Sequence, residues 1–435
     1  MRYVRGAVRH ERREPGKKLN HDDTQLSSSR TAVQARAGQP VSAPDAVPRR
    51  LLAGPSPRFG PTLAAVAATV VAVLPILLTG ALAVQIRRTF ALDPAHLGFV
   101  ISAGFAASAV AAMTSGRLSD RRGSRWPVSM GVLLNAGALA AIGTIVHSWE
   151  GLGVALAAAG VGNGVIQPAT NRLIARRVRQ GRQGWSYGVK QAAIPIATLS
   201  GGLAVPIVAL TLGWQWAFIG CGLAALVVLA LLPGDGAPAG PARVDGGRLL
   251  AGPLLVLMVA SGLGAAAANG MGAFMAVAAV GDGISQAGAG LLIALGAVVS
   301  LVARLLVGWH ADRTDRDGFG VVAAMLAAGA VGYGLLATGW IPLVLAGTVL
   351  AFGAGWGWAG LLNYSIVRSY PHAPAAATGM TQGAAYLGGV VGPTAFGLAG
   401  THLSLAVAWW GAGIAVLIAA LCTLLGRSLM AARER

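Results

Sequence analysis

Charge is scarce in this chain. Only 11% of its 435 residues are Asp, Glu, Lys or Arg, where soluble domains carry about a quarter. Acidic residues are the scarcer sign, 15 against 33 Lys and Arg, and none of them falls in the middle third of a long apolar run. There are two cysteines, Cys221 and Cys422, each inside an apolar run and with no C-x-x-C spacing, which excludes a disulfide framework. The seven histidines (10, 21, 96, 147, 310, 372 and 402) are scattered without pairing at ligand distance, so neither a metal site nor a cofactor is expected. Serine–histidine, HExxH and paired-carboxylate constellations are missing from the apolar runs, which argues against an enzyme. The formal charge of +18 raises nucleic acid as a partner. Its distribution argues against that, because the basic residues form short clusters between apolar runs and do not cover one face of a fold.

What is abundant is apolar sequence, 55% of the chain. Twelve runs follow one another: 62–85, 97–115, 126–146, 151–173, 187–210, 214–232, 252–279, 287–307, 319–338, 341–363, 375–400 and 403–426. At 1.5 Å per residue each can cross about 30 Å of hydrocarbon as a helix. The alternating ten-residue segments of a membrane barrel do not occur. Residues 1–60 hold twelve Lys/Arg and five Asp/Glu and no apolar period, and are expected to be a disordered basic tail. Residues 233–250, beginning Pro233-Gly234-Asp235-Gly236, are the longest polar interruption after it and form a candidate linker. The expected layout is therefore a tail (1–60), a six-helix bundle (61–232), a linker (233–250), a second six-helix bundle (251–428) and a short tail (429–435). The expected partners are the bilayer and a small molecule, and the expected state is a monomer.

Basic residues fix the orientation. Loops on the side of the N-terminal tail hold Arg117, Arg121, Arg122 and Arg125, then Arg176, Arg177, Arg179 and Arg182, with further arginines in each later loop. The opposite loops hold only Arg87 and Arg88. Both termini are expected in the cytoplasm of a cell with this protein in its inner or plasma membrane.

The halves also repeat. A shift of 192 places Gly116, Asp120 and Arg121 on Gly308, Asp312 and Arg313, and Asn171 and Arg176 on Asn363 and Arg368. A shift of 191 places Gly188 and Gln191 on Gly379 and Gln382. Parallel six-helix repeats put a binding site between the halves near mid-membrane.

The segment Gly116-Arg117-Leu118-Ser119-Asp120-Arg121-Arg122-Gly123-Ser124-Arg125 reads as a tight charged turn. It resembles the loop signature of the major facilitator superfamily, roughly G-x-L-x-D-R-x-G-x-R between spans two and three. The second copy, at Gly308, Asp312 and Arg313, is reduced, with Asp315 in place of the second glycine. The resemblance covers about residues 60–428. It implies an all-α membrane protein of twelve helices in two pseudo-symmetric bundles, acting as a secondary transporter. It also implies that Asp120, with Gly116, Arg121, Gly123 and Arg125, gates the cytoplasmic side.

Several residues stand out inside the runs. Asn163, Gln167 and Asn171 form an i, i+4, i+8 polar stripe, either lining a cavity or bonding between helices. Lys190, next to Gln191, either snorkels to the headgroups or offers a cation to an anionic substrate. Asn269, Trp356, Trp358, Asn363, Gln382 and Tyr386 are the corresponding candidates in the second half. On the family's mapping, Trp356 or Trp358 supplies a flat apolar wall. Arg304 is expected to snorkel. With no carboxylate at mid-span, the pathway is expected to be neutral to mildly positive and to favour neutral or anionic solutes. The weaker alternatives are drug or metabolite efflux by proton antiport, and a non-transporting membrane sensor or scaffold with the carrier fold.

Overall fold

The computed structural model describes residues 60–234, 251–313, 318–371 and 373–432. The expected tail up to residue 59, residues 235–250 of the linker and residues 433–435 lie outside the described residues. Helices account for nearly all the rest, with no strand among the described residues. Ten of them are long and apolar enough to cross a bilayer.

In chain order the helices are α1 (Gly60–Ala81), its continuation α2 (Ala83–Phe90), α3 (Pro94–Arg122), α4 (Arg125–Thr144) and α5 (Trp149–Arg177). The fifth apolar run is α6 (Gln180–Gln191), α7 (Ala193–Ala204) and a π turn over Val205–Ala209, and the sixth is α8 (Trp214–Leu231). Then come α9 (Ala251–Gly281), α10 (Gln286–Arg313) and α11 (Gly318–Leu336). The tenth run is divided into α12 (Ile341–Gly353) and α13 (Ala359–Ser369), followed by α14 (Pro374–His402) and α15 (Leu405–Ala431). These helices belong to one compact unit spanning residues 57–435.

Small residues let them approach. Lipid tails are as apolar as leucine, so helix association in a bilayer rests on packing and hydrogen bonds. A Cβ on Gly160 of α5 would land on the Gly104 carbonyl of α3, and one on Gly164 on the Ser108 carbonyl. In the second half, Gly388 and Gly392 of α14 sit in the same way against the Gly262 and Ala266 carbonyls of α9. Large apolar side chains point outward: Leu223, Val227, Leu291, Ile414 and Leu421 are each more than half exposed, as lipid contact requires.

One end of the bundle is capped by side chains. Asp93 Oδ1 accepts the His96 N–H at 2.8 Å before α3, Ser148 Oγ accepts the Gly151 N–H at 3.1 Å before α5, and Ser404 Oγ accepts the Val407 N–H at 3.3 Å before α15. The His96 N–H also holds the Asp93 carboxyl below its ordinary pKa by stabilising the anion.

Four expectations are corrected. The turn over residues 116–125 narrows to Gly123 and Ser124, because α3 stays helical to Arg122, beyond the apolar run. Outside hydrocarbon nothing prevents the helix from continuing its own hydrogen bonds. Gly123, at φ +78°, then reverses the chain in a conformation that side chains other than glycine's resist. Arg87 and Arg88 sit on helix α2 and not in a loop, with Arg87 Nε donating to the Leu92 carbonyl at 3.0 Å. The fifth run is not one helix but breaks at Ala192, and Pro206, which has no N–H to donate, opens its π turn. The tenth run is likewise broken, at residues 354–358.

Gly160→Val is expected to overpack α5 against α3 and cost about 1–3 kcal/mol. Gly137→Val, on a face of α4 with no atom within 4 Å of the added Cβ, serves as control. Thermal unfolding in detergent should show a lower midpoint for the first and little change for the second. Equal midpoints would contradict the close packing.

Candidate functional site

A cavity of about 1010 Å³, its mouth included, lies at mid-depth and is lined from both halves of the chain. Asn163 and Gln167 reach it from α5, Gln191 from the end of α6 and Asn269 from α9. Trp356, Trp358 and Asn363 come from the broken tenth span, and Gln382 and Tyr386 from α14. Val73, Ile76 and Leu77 of α1 and Phe105 of α3 complete an apolar side. Among the candidates in this wall, the aromatic residues apart, every one is an amide, a neutral group that both donates and accepts.

The polar stripe serves both of the roles open to it. Asn163 is buried and its Nδ2 donates to Ser108 Oγ on α3 at 3.1 Å, while Gln167 Nε2 approaches Asn163 Oδ1 at 3.4 Å. Asn171, two turns on, does not line the cavity. Its Oδ1 accepts from Lys190 Nζ at 2.6 Å, and Lys190 also donates to the Gln167 carbonyl at 3.3 Å. Lys190 is 5% exposed, so it does not snorkel. It clamps the end of α6 onto α5 behind the wall.

The division of span ten is the feature that sequence reasoning missed. Gly353, Gly355 and Gly357 alternate through it, and glycine is among the poorest helix formers. The chain turns through residues 354–358, so carbonyls lose their helical partners. Inside a membrane that is tolerable only where protein or cavity supplies new ones. Trp358 Nε1 donates to the Gly355 carbonyl at 2.9 Å, and Arg304 Nη2 donates to the Trp356 carbonyl at 2.7 Å. Arg304 therefore does not snorkel; it turns inward, to the break and the cavity wall. A helical wheel held the signal. Val302, Leu305, Leu306 and Trp309 form the exposed apolar face of α10, whereas Arg304 lies one turn from buried Ser300.

The gating candidates lie at the far end from the side-chain caps. Residues 116–122 and Asp312 are described as helix without their side chains, so the geometry of Gly116, Asp120, Arg121 and Asp312 stays an expectation. Gly308 would have nothing within 4 Å of an added Cβ, Arg313 stacks over the Trp309 ring at 4.1 Å, and Arg125 is exposed. Residues 314–317, including Asp315, lie outside the described residues. No cluster of His, Cys, Asp and Glu among the described residues could hold a metal.

The opposite end is closed by contacts between helices before residue 235 and helices after 250. Gly98 of α3 abuts the Pro393 carbonyl of α14, and Gly397 abuts the Pro94 carbonyl. The Ala95 N–H donates to Thr401 Oγ1 at 2.9 Å. Ser102 Oγ donates to the Val390 carbonyl at 2.7 Å and accepts from Thr394 Oγ1 at 2.8 Å. Gln85 Nε2 donates to Gln286 Oε1 at 2.9 Å.

Membrane-length helices around a cavity lined from both halves by apolar surface and a few polar groups define a polytopic membrane protein with a central cavity. The Major Facilitator Superfamily profile matches residues 63–393, and the chain belongs to that family. It is 30% identical over 283 residues to a protein of Mycolicibacterium smegmatis described as an MFS-type efflux pump; the match covers 60% of this chain and 65% of the relative's length. Its fold is shared with a bacterial homologue of the human lysosomal transporter Spinster in an inward-facing, occupied conformation (TM-score 0.64, 16% identity, 88% of this chain and 98% of that one). The D-xylose–proton symporter gives TM-score 0.66 at 17% identity, over 84% of this chain and 97% of that one.

The Trp358 ring packs where a Cβ on Gly264 would come within 2.5 Å of it. Trp358→Ala is expected to lose about 3 kcal/mol or more through the space it leaves. Trp358→Phe should lose less, about 1–3 kcal/mol, because it keeps a ring in place but leaves the Gly355 carbonyl without its donor. Thermal melts that rank them the other way would contradict this packing.

Proposed function

We propose that the protein is a secondary transporter that carries a small neutral or anionic solute across the inner or plasma membrane. Transport proceeds by alternating access between two six-helix bundles, residues 61–232 and 251–428. The observation that carries the reading is the mid-depth cavity lined by both halves and sealed at one end only by side chains and close backbone contacts. Such contacts part without breaking a helix, so the halves can rock about the site. Solute then shifts the populations by its different affinity for the two states.

The basic-residue asymmetry favours the sealed end outside and the charged α3–α4 turn in the cytoplasm, an arrangement that faces inward. Asp120 holds the other gate, closing the cytoplasmic side once the halves have rocked. Its partners are an arginine at the end of span four or in the same turn and a neighbouring helix N-terminus, where a carboxylate is favoured. Export is the direction suggested by the description of the mycolicibacterial relative. Proton antiport gains less support, because no Asp or Glu is among the residues described as lining the cavity.

Two variants test the reading in liposomes. Gly98→Leu should keep α3 and α14 from closing the seal, since even a Cβ there meets the Pro393 carbonyl. Transport is expected to fall at least about tenfold, and a thiol placed in the cavity should become labelled from outside. Asp120→Asn should leave the protein inserted and folded while reducing flux. Wild-type flux in both variants would refute the gating scheme.

A further inference from the structure

We infer that the cavity recognises the carboxylate of a small organic monoanion with an apolar body, and that Arg304 is the residue that binds it. This inference rests on the carrier reading of the cavity and names the substrate class.

Arg304 is a cation at membrane depth with incomplete bonding. Of its five N–H donors, one on Nη2 is taken by the Trp356 carbonyl, and Nε reaches Ser300 Oγ only at a stretched 3.5 Å. Nη1 is buried and has no hydrogen-bond partner among the described residues. No carboxylate pairs with it among those residues either; the acid–base contact they contain is His96–Asp93, at the capped end. A buried donor without an acceptor is costly, and a buried charge without a counter-charge more so. The Trp356 carbonyl could have been satisfied by a neutral donor, as its neighbour at Gly355 is. The charge itself is therefore unexplained by the fold.

The remaining N–H groups on Nη1 and Nη2 form the fork that a carboxylate accepts in a bidentate manner. A single such fork suits a monoanion. The other buried cation of the region, Lys190, is engaged by Asn171 and Gln167 and is not part of the wall. The rest of the wall fixes the body of the ligand. Trp356, Trp358, Phe105 and Tyr386 present flat apolar surface, and Gln382 and Asn363 add neutral amides. Such a mixture of apolar surface and a few convergent polar groups fits a small aromatic or branched acid better than a sugar or an inorganic ion.

The test is calorimetric titration of the purified protein in detergent with benzoate and phenylacetate against benzamide and phenylacetamide. These pairs keep shape and remove charge. The acids are expected to bind about tenfold more tightly or better than the amides, since hydrogen bonds to ionised groups are roughly twice as strong. Arg304→Gln should abolish the gap while leaving amide binding in place. Arg304→Lys, which keeps the cation but loses the fork, should narrow the gap. Equal binding of acids and amides to the wild type, no binding of either acid, or a full gap in both variants would overturn the proposal. Flux of the same solutes is measured separately. Acid binding without flux leaves the anion site standing and fails the carrier reading; flux without acid preference does the reverse.

Discussion

Within hydrocarbon, every backbone N–H and carbonyl must find a partner in the protein, because each one left unmade costs several kcal/mol. This constraint makes the described chain almost wholly helical and sets where it can depart from a helix. The departure at residues 354–358 faces the cavity, and the freed carbonyls of Gly355 and Trp356 are taken by Trp358 and Arg304. Breaking the helix thus turns two tryptophans and an arginine toward one volume. A continuous span ten would have no carbonyl there for Arg304 to hold.

The same constraint explains the seal. Where α3 meets α14, small residues bring backbones into contact and short hydroxyl side chains bond across. These are close, neutral and individually modest interactions, of the order of 1 kcal/mol each in membranes. A sealed state built from them is stable enough to populate and weak enough to leave. Long apolar side chains interlocked across the same surface would have to be unpacked together.

Much of this is legible in the sequence, and the limits have a physical cause. Apolar runs of bilayer length mark the helices, and polar residues repeating at a shift of 192 mark the relation between the halves. Amides inside apolar runs are conspicuous, and Asn163, Gln167, Gln191, Asn269, Asn363 and Gln382 do share one cavity wall. The repeat partners Gln191 and Gln382 both reach it, whereas Asn171 and Asn363 part company: α5 runs unbroken and carries Asn171 behind the wall to Lys190. The break in span ten stays hidden because hydropathy is blind to glycine that stays apolar while abandoning the helix, and the one in span five because it falls at Ala192, a residue type that by itself favours helix. Arg304 misleads for a related reason. Its place near the end of an apolar run suggests the headgroups, and only its face on α10, one turn from Ser300, shows which way it points. The charged turn at 116–125 is legible as a signature but not as a shape, because charge marks where the membrane ends and says nothing about where the helix does.

Alternating access requires one end to open as the other closes. Distances between paired spin labels report on both ends at once, with one pair at Ile145 and Leu403 beside the sealed end and one at Arg176 and Trp309 toward the other, and with Cys221 and Cys422 replaced by serine. Two populations are expected in each pair, with solute shifting them in opposite senses, so that the first pair lengthens as the second shortens. A single unchanging distance in both pairs, with and without solute, would contradict alternating access.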